Sequence, residues 1–155
     1  MPWLVKTEPD EFSFADLLAA PAMTTAWEGV RNYQARNFLR EMRVGEPVLV
    51  YHSSTARPGV AGLARVTRES YPDPTQFDAE SGYFDPKATR AAPRWDAAEL
   101  QAVRPLTNFV TLTALKAEPA LQAMRLLKRG NRLSVIPVSD AELGVILRLA
   151  EREEA

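Results

Sequence analysis

The stretch Trp27-Glu28-Gly29-Val30-Arg31-Asn32-Tyr33-Gln34-Ala35-Arg36-Asn37-Phe38 gathers aromatic, amide and guanidinium groups around a glycine, just ahead of an amphipathic run. Gly29 permits backbone conformations that a side chain forbids, and Asn32 is a favoured N-cap for a helix expected over Tyr33 to Met42. The free N–H groups of such a first turn attract acceptors. Trp27 and Tyr33 offer flat apolar faces, while Arg31 and Asn32 offer donors to a planar ligand bearing oxygen or nitrogen. That combination suits a nucleobase. The plainer alternative makes Trp27 a core residue and Asn32 only a cap; the density of the cluster favours a site.

Downstream, Ala35, Phe38, Leu39 and Met42 fall on one side of the helix at about 100° per residue, and Arg36, Arg40 and Arg43 on another. The basic stripe is either a solvated face or a track for a phosphate backbone. Gly45 closes the helix. Pro47 to His52 reads as a buried strand with Val60 to Val66 as its partner, joined by a loop over Ser53 to Gly59. Upstream, Trp3-Leu4-Val5 fits a buried strand ended by Pro9, with Lys6, Thr7 and Glu8 at its end, where side chains are commonly delivered into a cleft. Ser13 can cap a short helix over Phe14 to Ala19 that carries Asp16 in its first turn, and Pro21 stops it.

Tyr71 to Pro93 is rich in proline, aspartate and aromatics without periodicity, so it is expected to be a long ordered loop packed on the domain by Tyr71, Phe77, Tyr83 and Phe84. Trp95 to Val103 reads as strand. After Pro105, Thr111–Lys116 and Pro119–Met124 are expected to be short helices. Leu126 to Arg132 supplies a second basic cluster, Lys128, Arg129 and Arg132, ending in a Gly130-Asn131 turn ahead of a strand over Leu133 to Val138. Ser139-Asp140-Ala141-Glu142 matches a capping box for a closing helix whose apolar face is Leu143, Ile146, Leu147 and Ala150. Glu151 to Ala155 is expected to fray.

A chain of 155 residues, 46% hydrophobic and 25% charged, fits one domain spanning residues 1–155. With 19 basic and 20 acidic residues, attraction to nucleic acid requires the charges to be segregated on one face. One histidine and no cysteine leave no zinc site of usual composition. No calcium-loop spacing and no phosphate-binding glycine motif occurs, so no metal and no cofactor are expected. Charge enters the N-terminal residues too early for a signal peptide, and no run approaches the ~18 apolar residues of a membrane span. The cytoplasm is the expected compartment and a monomer the default. His52-Ser53-Ser54 lacks the elbow of a nucleophilic triad. His52 is better read as a pocket hydrogen-bonding residue or a satisfied buried histidine.

Lys6-Thr7-Glu8-Pro9, Trp27 to Asn37, Tyr51-His52-Ser53, Tyr71-Pro72-Asp73-Pro74, Pro93-Arg94-Trp95 and Leu133-Ser134-Val135 together resemble the EVE domain family, from about Trp3 to the closing helix. The resemblance implies an α+β, PUA-like fold: a small, strongly bent β-barrel with helices packed around it. It also implies a non-catalytic reader of a modified nucleobase in DNA or RNA, modified cytosine favoured. Carried over by residue, the pocket draws on Lys6, Thr7, Glu8, Trp27, Gly29, Val30, Arg31, Asn32, Tyr33, His52, Ser53 and Ser134. Phosphate contacts fall to Arg36, Arg40, Arg43, Lys128, Arg129 and Arg132. Thr7 stands where the family has serine, which keeps the hydroxyl and adds a methyl. Two other readings stay open: an enzyme using Glu8 and His52 as acid and base, and a protein-interaction module built on the aromatic loop.

Overall fold

Side-chain alternation along a strand decides which apolar cluster each residue joins, and here the central strands feed clusters on both faces. The computed structural model describes residues 1–152. Strand β1 (Trp3–Thr7) sends Trp3 and Val5 to one cluster and Leu4 to the other. Strand β3 (Pro47–His52) divides Val48 and Val50 from Leu49 and Tyr51, and β6 (Val135–Pro137) divides Val135 from Ile136. The first cluster is covered by α1 (Phe14–Ala19) and α2 (Tyr33–Glu41), the second by α3 (Leu112–Ala117) and α4 (Asp140–Glu151). Reciprocal capping boxes start α1 through Ser13 and Asp16 and α4 through Ser139 and Glu142.

One six-stranded sheet joins these layers in the order β2 (Thr24–Trp27), β5 (Asp96–Thr111), β4 (Gly59–Pro72), β3, β1, β6. Only β1 and β3 pair in parallel. The long β4 and β5 are irregular: Val50 pairs with Gly62 and Tyr51 with Val60, leaving Ala61 as an extra residue, and further register shifts follow along β4 and β5. Each such bulge bends its strand and increases its twist. The curl brings opposite edges of the sheet to one cavity, which β2 lines from one side and β1, with the residue before β6, from the other. The α+β architecture is as expected, but the barrel does not close: β2 and β6 remain its two edges.

Several boundaries move for identifiable reasons. β5 continues through Pro105 to Thr111, because Pro105 lies opposite Gly62 beside a register shift, where the missing N–H interrupts an already irregular ladder. β2 escapes the pattern reading because only Trp27 of its four residues is buried, and its extended form comes from pairing with β5. The second short helix reduces to a 3₁₀ turn over Pro119–Leu121, followed by another over Arg125–Leu127. The closing helix holds through Glu151; the fraying expected beyond it concerns residues 153–155, which lie outside the described residues.

The bulge also explains a glycine. A Cβ at Gly62 would lie 2.3 Å from the ring of Phe14, the buried residue that opens α1. Gly62→Ala is therefore expected to destabilise the fold by about 1–3 kcal/mol through overpacking. Urea unfolding measures this, and an unchanged midpoint would show that Phe14 can step aside without cost.

Candidate functional site

The cavity left between the sheet edges has a volume of about 670 Å³. Five stretches of the chain build it. Lys6 and Thr7 end β1, and Glu8 begins a turn in which the N–H groups of Glu11 and Phe12 both donate to the Glu8 carbonyl at 2.9 Å. The Thr7 hydroxyl donates to the Phe12 carbonyl at 2.6 Å, which brings Phe12 to the wall, where its ring meets Trp27 edge-on at 6.3 Å. Thr25, Ala26 and Trp27 come from β2, and Glu28 to Asn32 lead into α2. Ser53 is held by its N–H donating to the Thr7 carbonyl, and Ser134 by its carbonyl accepting from Lys6 N–H. Tyr83 arrives from the long loop and Arg132 from the second basic cluster.

The rim over 28–32 is fixed from below by one buried carboxylate. Asp73, fully buried, accepts from Gly29 N–H at 2.8 Å and Arg31 Nη1 at 3.0 Å through one oxygen, and from the Thr75 N–H and hydroxyl through the other. Burial alone would raise its pKa. The bonds from the Thr75 hydroxyl, the Gly29 and Thr75 N–H groups and Arg31 outweigh that and leave it below the usual carboxylate value. Arg31 completes the clamp by donating also to the carbonyls of Val30 and Tyr83 and to the Thr75 hydroxyl. Tyr83 is thereby laid across Gly29, whose φ of +83° and missing side chain are both required: a Cβ there would sit 2.6 Å from the Tyr83 ring. Buried Gln76 ties the same loop to the start of β5 by donating to the Asp73 and Trp95 carbonyls and accepting from Arg94 and Trp95 N–H.

Several groups in the cavity have no side-chain partner among the described residues: the Lys6 amine, the carboxylates of Glu8, Glu11 and Glu28, and the Ser134 hydroxyl. Burial lowers the Lys6 pKa. Burial, with Asp73 nearby, raises that of Glu28 against the opposing pull of Arg31. Both shifts favour the neutral forms. The Asn32 side-chain oxygen accepts from Ala35 N–H at 3.0 Å as a helix cap, so its amide hydrogens remain for the cavity it lines. The lining can thus donate and accept along the edge of a planar polar ligand while Trp27 and Tyr83 supply apolar faces. Among the described residues no three histidine, aspartate or glutamate side chains converge on a metal position. No described helix is long and apolar enough to cross a membrane.

Lys6, Thr7, Glu8, Trp27, Gly29, Val30, Arg31, Asn32, Ser53 and Ser134 line the cavity; Tyr33 and His52 do not. Tyr33 points away and stacks on Trp95 at 4.7 Å, with its hydroxyl accepting from Arg94. Nε2 of His52 accepts from Phe14 N–H at 3.0 Å at the start of α1, and burial lowers its pKa, which favours the neutral ring that this bond needs. Arg31 borders the cavity with its five N–H groups all engaged in the clamp, where they shape the rim. The stripe of α2 is also committed elsewhere: Arg36 to the Arg94 carbonyl, Arg40 to Asp96, Arg43 to Glu69. None of the three lines the cavity. Glu28 lies within the expected Trp27–Tyr33 stretch, whereas the sequence carries no local signal for Glu11, Phe12, Thr25, Ala26 and Tyr83 at the cavity, although Tyr83 belongs to the aromatic loop expected to pack on the domain.

Comparison with known proteins agrees with this architecture. The EVE domain model matches residues 2–149. Human thymocyte nuclear protein 1 is 42% identical over 168 aligned residues, covering 97% of this chain and 74% of that protein. A crystal structure of a Pseudomonas putida protein superposes with a TM-score of 0.93 at 45% identity, covering 97% of this chain and 99% of the other. The human THYN1 protein, solved in complex with DNA containing 5-methylcytosine, superposes with a TM-score of 0.93 at 40% identity, covering 99% of both chains.

The clamp has a measurable pH signature. Asp73 with its lowered pKa contributes stability that is present above the unfolded carboxylate value near ~3.9 and is lost as pH falls through the lower folded value. Asp73→Asn is expected to cost about 1.5–3 kcal/mol at neutral pH. Its further loss of stability below pH ~4 should be shallower than that of wild type. Urea unfolding across that range tests this, and parallel losses in the two proteins would show that the ionised carboxylate is not what holds the rim.

Proposed function

The chain belongs to the EVE domain family, and on that premise we propose that its cavity takes up one unpaired or flipped base of DNA or RNA and senses whether that base is modified. Cytosine methylated at carbon 5 is the favoured target, and no bond is made or broken. The observation that carries the reading is the cavity itself. Trp27 and Tyr83 flank unpartnered donors and acceptors from Lys6, Glu8, Asn32 and Ser134, in a fold that superposes along 99% of its length on a relative solved with 5-methylcytosine DNA. Its volume falls in the range usual for small-ligand sites. We take residues 1–155 as one domain acting as a binding module, in a compartment that holds nucleic acid, the cytoplasm being our choice for a chain without cysteine.

A methyl group placed in an apolar slot contributes about 0.8 kcal/mol. That amounts to about fourfold in affinity. The expected preference for a 5-methylcytosine oligonucleotide over its cytosine counterpart is therefore modest. A titration panel of modified and unmodified oligonucleotides in both sugar backbones tests the function, and equal binding across the panel would overturn it.

Tyr83→Ala removes the stacking face and keeps the hydrogen bonds of the clamp, because Arg31 donates to the Tyr83 carbonyl; only the guanidinium's 5.6 Å contact with the ring is lost. Loss of a base-stacking partner is worth about 1–3 kcal/mol. The variant should lose no more than about 1 kcal/mol of stability and bind about tenfold more weakly. Wild-type affinity in a folded Tyr83→Ala protein would remove Tyr83 from the site. Asn32→Asp keeps the cap oxygen but loses the amide donor, so it should retain stability and lose selectivity.

A further inference from the structure

Beside the cavity runs a second groove of about 400 Å³, lined by Asn32, Gln34, Arg125 and the turn Lys128 to Leu133. Asn32 and Arg132 line both, so the groove opens onto the cavity. Its character is set by four exposed cations, Arg125, Lys128, Arg129 and Arg132, with no carboxylate in the lining. None of the four forms an ion pair among the described residues. In a chain of net charge −1, this is the segregation that attraction to a polyanion requires.

The turn is built rather than loose. Gly130 takes φ +78°, Asn131 N–H donates to the Lys128 carbonyl, and the Asn131 side chain donates to the Arg125 carbonyl at 2.5 Å while accepting from Leu133 N–H at 2.9 Å. Leu126, buried in the second core, anchors the segment from below, and the Arg125 guanidinium lies over the Phe38 ring. The cations therefore start from a fixed platform. By contrast, the arginine stripe of α2 is bound to Asp96, Glu69 and the Arg94 carbonyl and would have to break those contacts to meet a phosphate.

We infer that a nucleic-acid strand whose base occupies the cavity leaves it past Asn32 and Arg132 and lays its phosphates along the Arg125–Arg132 turn, not along α2. The inference rests on the base-reading function proposed above. Glu8 and Glu11 on the cavity lining disfavour phosphates beside them, so the strand has a charge-complementary exit on one side. Phosphate contacts attract every sequence alike and make binding salt-dependent.

The test titrates wild type, K128A/R129A and R40A/R43A with single-stranded DNA oligonucleotides carrying cytosine or 5-methylcytosine, at several salt concentrations. K128A/R129A is expected to bind both oligonucleotides more weakly by the same factor and to flatten the salt dependence by about one unit per lost contact. R40A/R43A should leave the salt dependence as in wild type. An unchanged slope in K128A/R129A, a flattened slope in R40A/R43A, or wild-type binding independent of salt would each overturn the groove assignment. Folding is checked by urea unfolding, and K128E/R129E, which should abolish binding of both oligonucleotides, repeats the test with reversed charge. If wild type binds both oligonucleotides equally while K128A/R129A still flattens the slope, the base reading fails and the groove stands; a retained preference with an unchanged slope gives the reverse.

Discussion

The buried carboxylate of Asp73 is the interaction on which the rim of the cavity depends. Ionised and fully enclosed, it would be prohibitive without partners, and it has four hydrogen bonds from Gly29, Arg31 and Thr75. Those same bonds join two segments more than forty residues apart. The loop after β4 is held against the approach to α2, and Arg31, consumed by the clamp, in turn holds the Tyr83 carbonyl so that its ring rests on Gly29. A preformed cavity costs less to occupy than one that must order a loop upon binding.

The cavity exists because the sheet curls without closing. Bulges in β4 and the irregular β4–β5 ladder bend the strands around the first core, and α2 packs across the concave side. A closed barrel would fill its interior with side chains. Here the opening between β2 and the β1–β6 edge is bordered by turns and by a mix of polar and aromatic side chains, which leave a cavity between them.

Periodic, locally determined elements were legible in the sequence, and long-range ones were not. Phe14–Ala19 and Pro47–His52 were readable to their ends because capping and continuous burial are written locally. β2 was illegible because its strand state is conferred by β5, and β5 beyond Pro105 because the reading could not see the bulge opposite. Trp27 to Asn32 and Lys6-Thr7-Glu8 lie at the cavity as their contiguous motifs suggest, while Tyr33, one residue further, turns to Trp95. The arginines show the opposite case: Arg31, Arg36, Arg40 and Arg43 look free in one dimension, and their partners Asp73, Arg94, Asp96 and Glu69 lie 26 to 58 residues away.

The proposed binding mode gives affinity and selectivity to different surfaces, and the chemistry of each is consistent with that division. A groove of unpaired guanidinium and ammonium groups attracts any strand, so it contributes little to telling one base from another. In that mode discrimination falls to the cavity, whose lining offers directional donors and acceptors and where burial lowers the Lys6 pKa and raises that of Glu28. Thr7 fits the same logic. Its hydroxyl is spent on the Phe12 carbonyl, so the exchange of serine for threonine changes shape and apolar surface at the wall and leaves the hydrogen-bonding inventory unaltered. A methyl-sized recognition energy of about 0.8 kcal/mol is then tuned by the contour of the wall. In the proposed binding mode the strand is held by charges that lie in the groove outside the base cavity.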